Sequence, residues 1–331
     1  MDAKSRILGI LKQRKEEGVL QSELPKLANL SKSTVSEVIS TLEADGWVVR
    51  NKVTKKSYRI WLLEHYPNPL KNTFRVGILK ASEYPAIIMA AKKLNGIVKV
   101  FDNSLELTRA LSIGSVDLAA SPLFTQVLFA SLMKNIVIFR IVALNGSGVV
   151  MGKTHCKKIG TTELSTMELN LKKLNKNWDF VYFKSPERMI ESLRDGEVDG
   201  IAIWEPYLTE LNKEYEVVKF NELIGDFPCC SLAANSKFLN QNRNLLSRFL
   251  QEFDFYCEKI GLDKNETIKA ARELSNYIGF NDKLIRKSFS SFVFNRILTN
   301  ENVLEFVEKE VFLRRESIQP LLRLECLRPK S

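Results

Sequence analysis

Five cysteines, at positions 156, 229, 230, 257 and 326, and two histidines, His65 and His155, are the thiol and imidazole groups of this 331-residue sequence. Zinc sites favour Cys or His at short spacings, and no C-x-x-C occurs. An odd thiol count argues against a disulfide framework. Two histidines leave almost nothing from which to build a His-dependent triad. Neither a metal nor a cofactor is therefore expected, and no catalytic residue is assigned. Cys229-Cys230 reads as a core strand rather than a redox pair, and His65 as a linker residue. The remaining polar chemistry falls into two sets. One is a group of short polar and basic side chains near the N-terminus. The other is a series of hydroxyl, Lys and Glu residues in loops after apolar runs.

The first set requires a helix and a hairpin. Val35, Val38, Ile39 and Leu42 recur at helical spacing and form a buried stripe. Lys32, Ser33, Ser36, Glu37 and Ser40 then share the outer face. Short side chains let a helix enter a major groove, where hydroxyls meet base edges or phosphates. Ser31 is the expected N-cap, and Gly46 the stop. Two earlier helices are expected, one ending near Gly18 and one capped by Ser22. After Gly46, 47–49 and 58–62 read as strands around a basic tip. Arg50, Lys52, Lys55, Lys56 and Arg59 would meet a phosphate backbone there. The alternative is a winged helix that makes protein contacts only.

Charge agrees with this reading. Residues 1–62 hold 12 Lys+Arg against 7 Asp+Glu, which is half of the chain's net +10 in under a fifth of its length. Such asymmetry favours a basic module that meets a polyanion. Residues 31–50 resemble the DNA-binding helix and wing of small MarR- and Lrp-type repressors. The resemblance implies a winged helix-turn-helix over 1–63. Pro67 and Pro69 push their predecessors away from helix, so 64–72 reads as a linker.

The second set requires alternating strands and helices. Residues 74–79, 97–101 and 116–120 read as strands, with one helix between them starting near Tyr84-Pro85 and another capped by Ser104. That alternation implies a parallel sheet with right-handed crossovers. The turn at 112–120 is mirrored at 194–202, about 80 residues later, which fits two α/β lobes. Ligands in open α/β sheets sit beyond the C-terminal strand ends. The candidates there are Lys80, Ser82 and Tyr84 after the first strand, Ser121 after the third, Ser147 in the crossover, Thr161 and Thr162 starting a helix, and Glu205 at Trp204-Glu205-Pro206. Ser121 and Thr162 read equally well as helix caps. Lys80 also reads as solvated, and Glu205 as a strand terminator. Asp117 and Asp199 read as ties at helix–strand joints, and Trp204 as packing or hinge.

Through 84–86, 111–119, 145–150, 158–162 and 204–206, residues 74–232 resemble type 2 periplasmic binding proteins. The branch is that of binders of aliphatic sulfonate, nitrate, taurine and the thiamine pyrimidine precursor. The resemblance implies a two-lobed α/β domain over 73–331 with a helical C-terminus. One lobe would be about 73–149 and 228–331, the other about 150–227, with the ligand between them.

The expected chain is thus an α+β winged helix-turn-helix domain followed by a two-lobed α/β periplasmic-binding-protein-like domain. The expected function is a ligand-responsive, DNA-binding transcriptional regulator, homodimeric, with double-stranded DNA and a small polar or anionic effector as partners. Its arrangement is similar to LysR-type regulators, without their long linker helix. The alternatives are a solute-binding protein and an enzyme similar to the thiamine pyrimidine synthase. No apolar run reaches the roughly 18–20 residues of a membrane span. The N-terminus lacks an apolar signal core, so a cytoplasmic location is expected.

Overall fold

Apolar residues at helical spacing near the N-terminus bury one face of each of three helices, α1 (Ala3–Arg14), α2 (Leu24–Ala28) and α3 (Lys32–Ala44). A computed structural model describes residues 2–54, 57–70, 73–152, 157–174, 177–294 and 298–324. Lys55, Lys56, His155, Cys156 and Cys326 lie outside the described residues. Ile7, Leu11, Leu24, Val35, Ile39, Leu42, Val48 and Ile60 close a separate small core. Ser31 caps α3, its hydroxyl accepting from Thr34 N at 3.0 Å. Ser22 does not cap α2. That helix starts from Glu23 with no side-chain cap and with Pro25 in its first turn. A short strand β1 (Val19–Leu20) joins β2 (Val48–Thr54) and β3 (Ser57–Leu62) in an antiparallel sheet of order β1-β3-β2.

The first lobe starts with β4 (Arg75–Leu79), α4 (Pro85–Lys93), β5 (Ile97–Phe101), α5 (Ser104–Ile113), β6 (Leu118–Pro122), α6 (Leu123–Met133) and β7 (Ile136–Asn145). Asn103, not Ser104, caps α5, accepting from Glu106 N at 2.9 Å. The chain then crosses to a second sheet made of β8 (Ser147–Met151), β9 (Lys158–Thr161), β10 (Asp179–Tyr182), β11 (Gly200–Trp204) and β12 (Glu216–Lys219). Helices α7 (Thr166–Leu174), α8 (Pro186–Arg194) and α9 (Tyr207–Leu211) join these strands, and α10 (Phe220–Ile224) follows the last of them. The chain returns through β13 (Pro228–Asn235) to α11 (Ser236–Gln241), α12 (Arg243–Lys259), α13 (Lys264–Ile278), α14 (Asp282–Ser288) and the edge strand β14 (Phe292–Val293).

The sheets are mixed rather than parallel. In the first lobe, β5, β4 and β6 run parallel, but β13 inserts antiparallel between β6 and β7. In the second lobe, β8 runs antiparallel to both β11 and β12. A returning strand need not follow the direction of βαβ units, so local alternation cannot reveal it. The two lobe connections lie side by side: Asn145 N donates to Phe227 O at 3.0 Å, and Phe227 N to Asn145 Oδ1 at 3.2 Å. Gly146 turns here at φ +83°, where a side chain would collide with the Phe292 ring.

Asp117 and Asp199 occupy equivalent joints. Asp117 accepts from Arg75 N, Nε and Nη2 at 2.8–3.0 Å, and Asp199 Oδ2 from Lys157 N and Lys158 N at 3.0 and 2.9 Å. Arg75 also donates to the carbonyls of Tyr66, Asn68 and Gly114, which fastens the linker to the first lobe.

Candidate functional site

Strand ends from both sheets converge on a cavity between the lobes. The first lobe contributes Leu79, Ala81, Glu83, Asp102, Asn103, Ser104, Pro122, Cys229 and Cys230. The second contributes Ser147, Thr162, Thr166, Met167 and Trp204. The lobes meet around it. Trp204 Nε1 donates to Lys80 O at 2.8 Å, Ser82 N to Glu205 O at 3.0 Å, and Thr166 Oγ1 to Cys229 O at 3.2 Å. The space open to the centre of a water molecule is ≈ 30 Å³. That admits a water-sized occupant or two, since one water needs roughly 10–15 Å³ by this measure.

Two of the eight expected ligand residues face this cavity, Ser147 and Thr162. Ser147 Oγ is buried and has no hydrogen-bond partner among the described residues. A buried hydroxyl left so is costly unless something enters to bond it. Thr162 lies in the turn after β9, four residues before α7 begins. Thr161 ends β9 instead of starting a helix, and its buried Oγ1 is likewise unpartnered among the described residues. Lys80 stands at the rim, within 3.2 Å of Asp102 and 3.4 Å of Glu187. Partial burial pulls its ammonium down, but these two carboxylates outweigh that and hold it above its ordinary value.

The other four serve the walls. Ser82 accepts from Ser288 Oγ at 2.7 Å. Ser121 sits inside β6 and shares a hydrogen bond with Thr108 Oγ1 at 2.9 Å. Glu205 accepts from Ser291 Oγ at 2.7 Å and from Thr209 N at 2.9 Å, and the Glu205-Pro206 peptide is cis. Tyr84 is fully buried with its hydroxyl 3.4 Å from Cys230 Sγ, and burial pushes its phenol well up.

Residue types alone did not single out Glu83, which lies between two selected positions, or the thiols opposite it. The Cys230 thiol donates to Glu83 Oε1 at 2.6 Å and the Cys229 thiol to Oε2 at 3.5 Å, and the two sulfurs are 3.8 Å apart. Burial pushes the Glu83 carboxyl up against the lowering effect of these hydrogen bonds, and it pushes the Cys230 thiol well up. Consecutive side chains of a regular strand point to opposite faces. Here the register of β13 against β7 slips on both sides of Cys230. Such a bulge re-aims side chains. The vicinal pair was the visible signal, and the bulge was not visible.

In the N-terminal unit, Lys32, Ser33, Ser36, Glu37 and Ser40 are exposed on α3, and Lys52 is exposed on β2. Arg50 pairs with Glu43 at 2.8 Å and lies over the Tyr58 ring at 5.3 Å. Arg59 Nη1 donates to Glu17 O at 2.7 Å.

No family model matches the chain, and no curated protein matches it. Solved structures do. The ligand-binding component of an ABC-type import system from Staphylococcus aureus, with zinc bound, superposes at a TM-score of 0.67 and 15% identity, covering 79% of this chain and 99% of its own. The alkanesulfonate-binding protein of Xanthomonas axonopodis pv. citri, bound to MOPS, gives 0.60 and 14%, covering 77% and 98%. The periplasmic nitrate-binding protein of Synechocystis PCC 6803 gives 0.56 and 14%, covering 67% and 71%. At such identities the likeness establishes the two-lobed periplasmic-binding-protein-like fold. It does not extend to a fusion with a winged helix.

These neighbours correct the expected function. They are described as ligand-, alkanesulfonate- and nitrate-binding components, so the expectation of a transcriptional regulator with double-stranded DNA as partner is overturned. The physical lesson lies in the basic hairpin. Arg50 is paired with Glu43 within its own unit, so its presence in the sequence overstated the charge offered to a polyanion.

Proposed function

We propose that this chain is a solute-binding protein that closes its two lobes on a small ligand. The observation that carries this reading is the interlobe cavity itself, bounded by cross-lobe hydrogen bonds and holding a buried Ser147 hydroxyl with no partner among the described residues. Ser147, Thr162 and Thr166 supply polar contacts from the second lobe. Trp204 supplies an aromatic wall, and Lys80 with Glu187 bridges the rim. The described side chains here are read as binding groups, without a catalytic assignment. The structural neighbours carry zinc, a sulfonate buffer and nitrate in their own descriptions, so the fold is compatible with several ligand chemistries. Within this reading, 1–63 is a winged-helix module, 64–72 a linker and 73–331 the binding domain.

The test is thermal unfolding of the full chain with nitrate and MOPS added separately. A ligand that binds only the folded state raises Tm as its concentration exceeds Kd. A rise with at least one probe, lost in Ser147→Ala combined with Trp204→Ala, is the expected result. No rise with any probe, or a rise that the double variant keeps, counts against the cleft.

A further inference from the structure

We propose that Glu83, Cys229 and Cys230 form a binding site for one thiophilic divalent cation of the zinc class, at the first-lobe wall of the cavity. The inference rests on the solute-binding reading of the cleft and names the ligand class.

Three ligand atoms already converge. The thiol sulfurs and a Glu83 oxygen lie within 4.8 Å of one another, and all three residues are buried. A tetrahedral ion with metal–sulfur bonds of about 2.3 Å sets its two sulfurs about 3.8 Å apart, and sulfur and carboxylate oxygen about 3.5 Å apart. The observed separations are 3.8 Å between the sulfurs and 3.5 Å from Cys229 Sγ to Glu83 Oε2. The short Cys230–Oε1 contact is a thiol hydrogen bond whose proton the metal would displace. Two thiolates and one carboxylate exceed the cation's charge by one. The Tyr84 hydroxyl, 3.4 Å from Cys230 Sγ, is placed to donate to that thiolate.

The surroundings agree. Glu83, Cys229 and Cys230 all line the cavity, which leaves room beside them for a fourth ligand. Three protein ligands with one open position allow water or a small anion to complete the shell. The cavity's ≈ 30 Å³ suits an ion with one small co-ligand. Soft thiolates select zinc-like ions over magnesium or calcium, which prefer oxygen.

The test is titration of the reduced, metal-free full chain with cadmium(II), followed by the ultraviolet thiolate-to-cadmium charge-transfer band. Cobalt(II) then reports tetrahedral geometry through its visible bands. The expected result is one cadmium per chain. The charge-transfer band should be lost in Cys229→Ser with Cys230→Ser, and affinity should fall by more than about tenfold in Glu83→Gln. Cys156→Ser with Cys326→Ser should leave the band unchanged. Circular dichroism confirms that each variant is folded, and the near-isosteric Glu83→Gln keeps the test decisive if the cysteine variants do not fold. Absence of a band in the parent chain, or a band that survives in the Cys229/Cys230 variant, overturns the metal site. If nitrate or MOPS still raises Tm in that case, the solute-binding reading stands without it.

Discussion

Trp204 and Lys80 belong to different lobes, and the indole Nε1 of one donates to the backbone carbonyl of the other at 2.8 Å. Trp204 ends β11, and Lys80 directly follows β4. The bond therefore ties the C-terminal ends of two strands across the cavity. Tyr207 packs edge-on against the Trp204 ring, with centroids 5.8 Å apart, and sets the plane of the indole.

Trp204→Phe keeps an aromatic ring and removes the donor. Leaving a partly buried carbonyl without its partner costs about 1–3 kcal/mol. The closed arrangement should lose roughly that much, and small-angle scattering of the ligand-free variant should show a larger radius of gyration. An unchanged radius with unchanged stability would mean that this bond does not hold the lobes together.

Lys80→Ala should matter less. Its pairs with Asp102 and Glu187 lie at a solvated rim, with the Lys80 side chain 35% exposed. Such pairs contribute about 0.2–1 kcal/mol and weaken with salt. A double-mutant cycle with Glu187→Ala should give a coupling below about 1 kcal/mol that shrinks as salt is added. A larger, salt-independent coupling would make Lys80 part of the buried closure rather than its rim.

Much of this architecture was legible from spacing. The stripe Val35, Val38, Ile39, Leu42 placed α3, and the paired turns before Asp117 and Asp199 announced two related lobes. What escaped was nonlocal. The direction of β13 depends on where a strand returns after the whole second lobe. The convergence of Glu83 with Cys229 and Cys230 depends on a bulge in that strand and on β4, some 150 residues earlier. Candidate positions after β4 were chosen by loop placement, which cannot tell that Ser82 turns into the wall while Glu83 and Tyr84 meet the thiols. Function was misread for a related reason. Charge and helix periodicity describe a unit's surface before folding has engaged it, and Arg50 is paired with Glu43 within its own unit.

Gly146 is the one position between the last residue of β7 and the first of β8. Its φ of +83° disfavours any side chain, and a Cβ there would come within 1.8 Å of Phe292. Gly146→Ala combines backbone strain of about 1–3 kcal/mol with overpacking of similar size. Thermal unfolding should show a large loss. Pairing it with Phe292→Ala should give less than the sum of the two single effects, because the second change removes the colliding ring. Additive losses would assign the cost to the backbone alone.

Arg75 and Asp117 are 0% and 1% exposed and paired at 2.8 Å, and Arg75 also bonds the backbone carbonyls of Tyr66 and Asn68 in the linker. Removing one partner of a buried pair leaves an uncompensated charge, at a cost of about 3–5 kcal/mol. Asp117→Asn keeps the shape and strips the charge, so it should lower stability by that order. Arg75→Met removes the charge together with the donors to Tyr66, Asn68 and Gly114. It should therefore also release the linker, and limited proteolysis should cut near Pro67–Pro69 faster in this variant than in Asp117→Asn. Equal cleavage in the two variants would mean that the linker is held by the contacts of the N-terminal unit, such as Ser115 with Glu16 at 3.2 Å, rather than by Arg75.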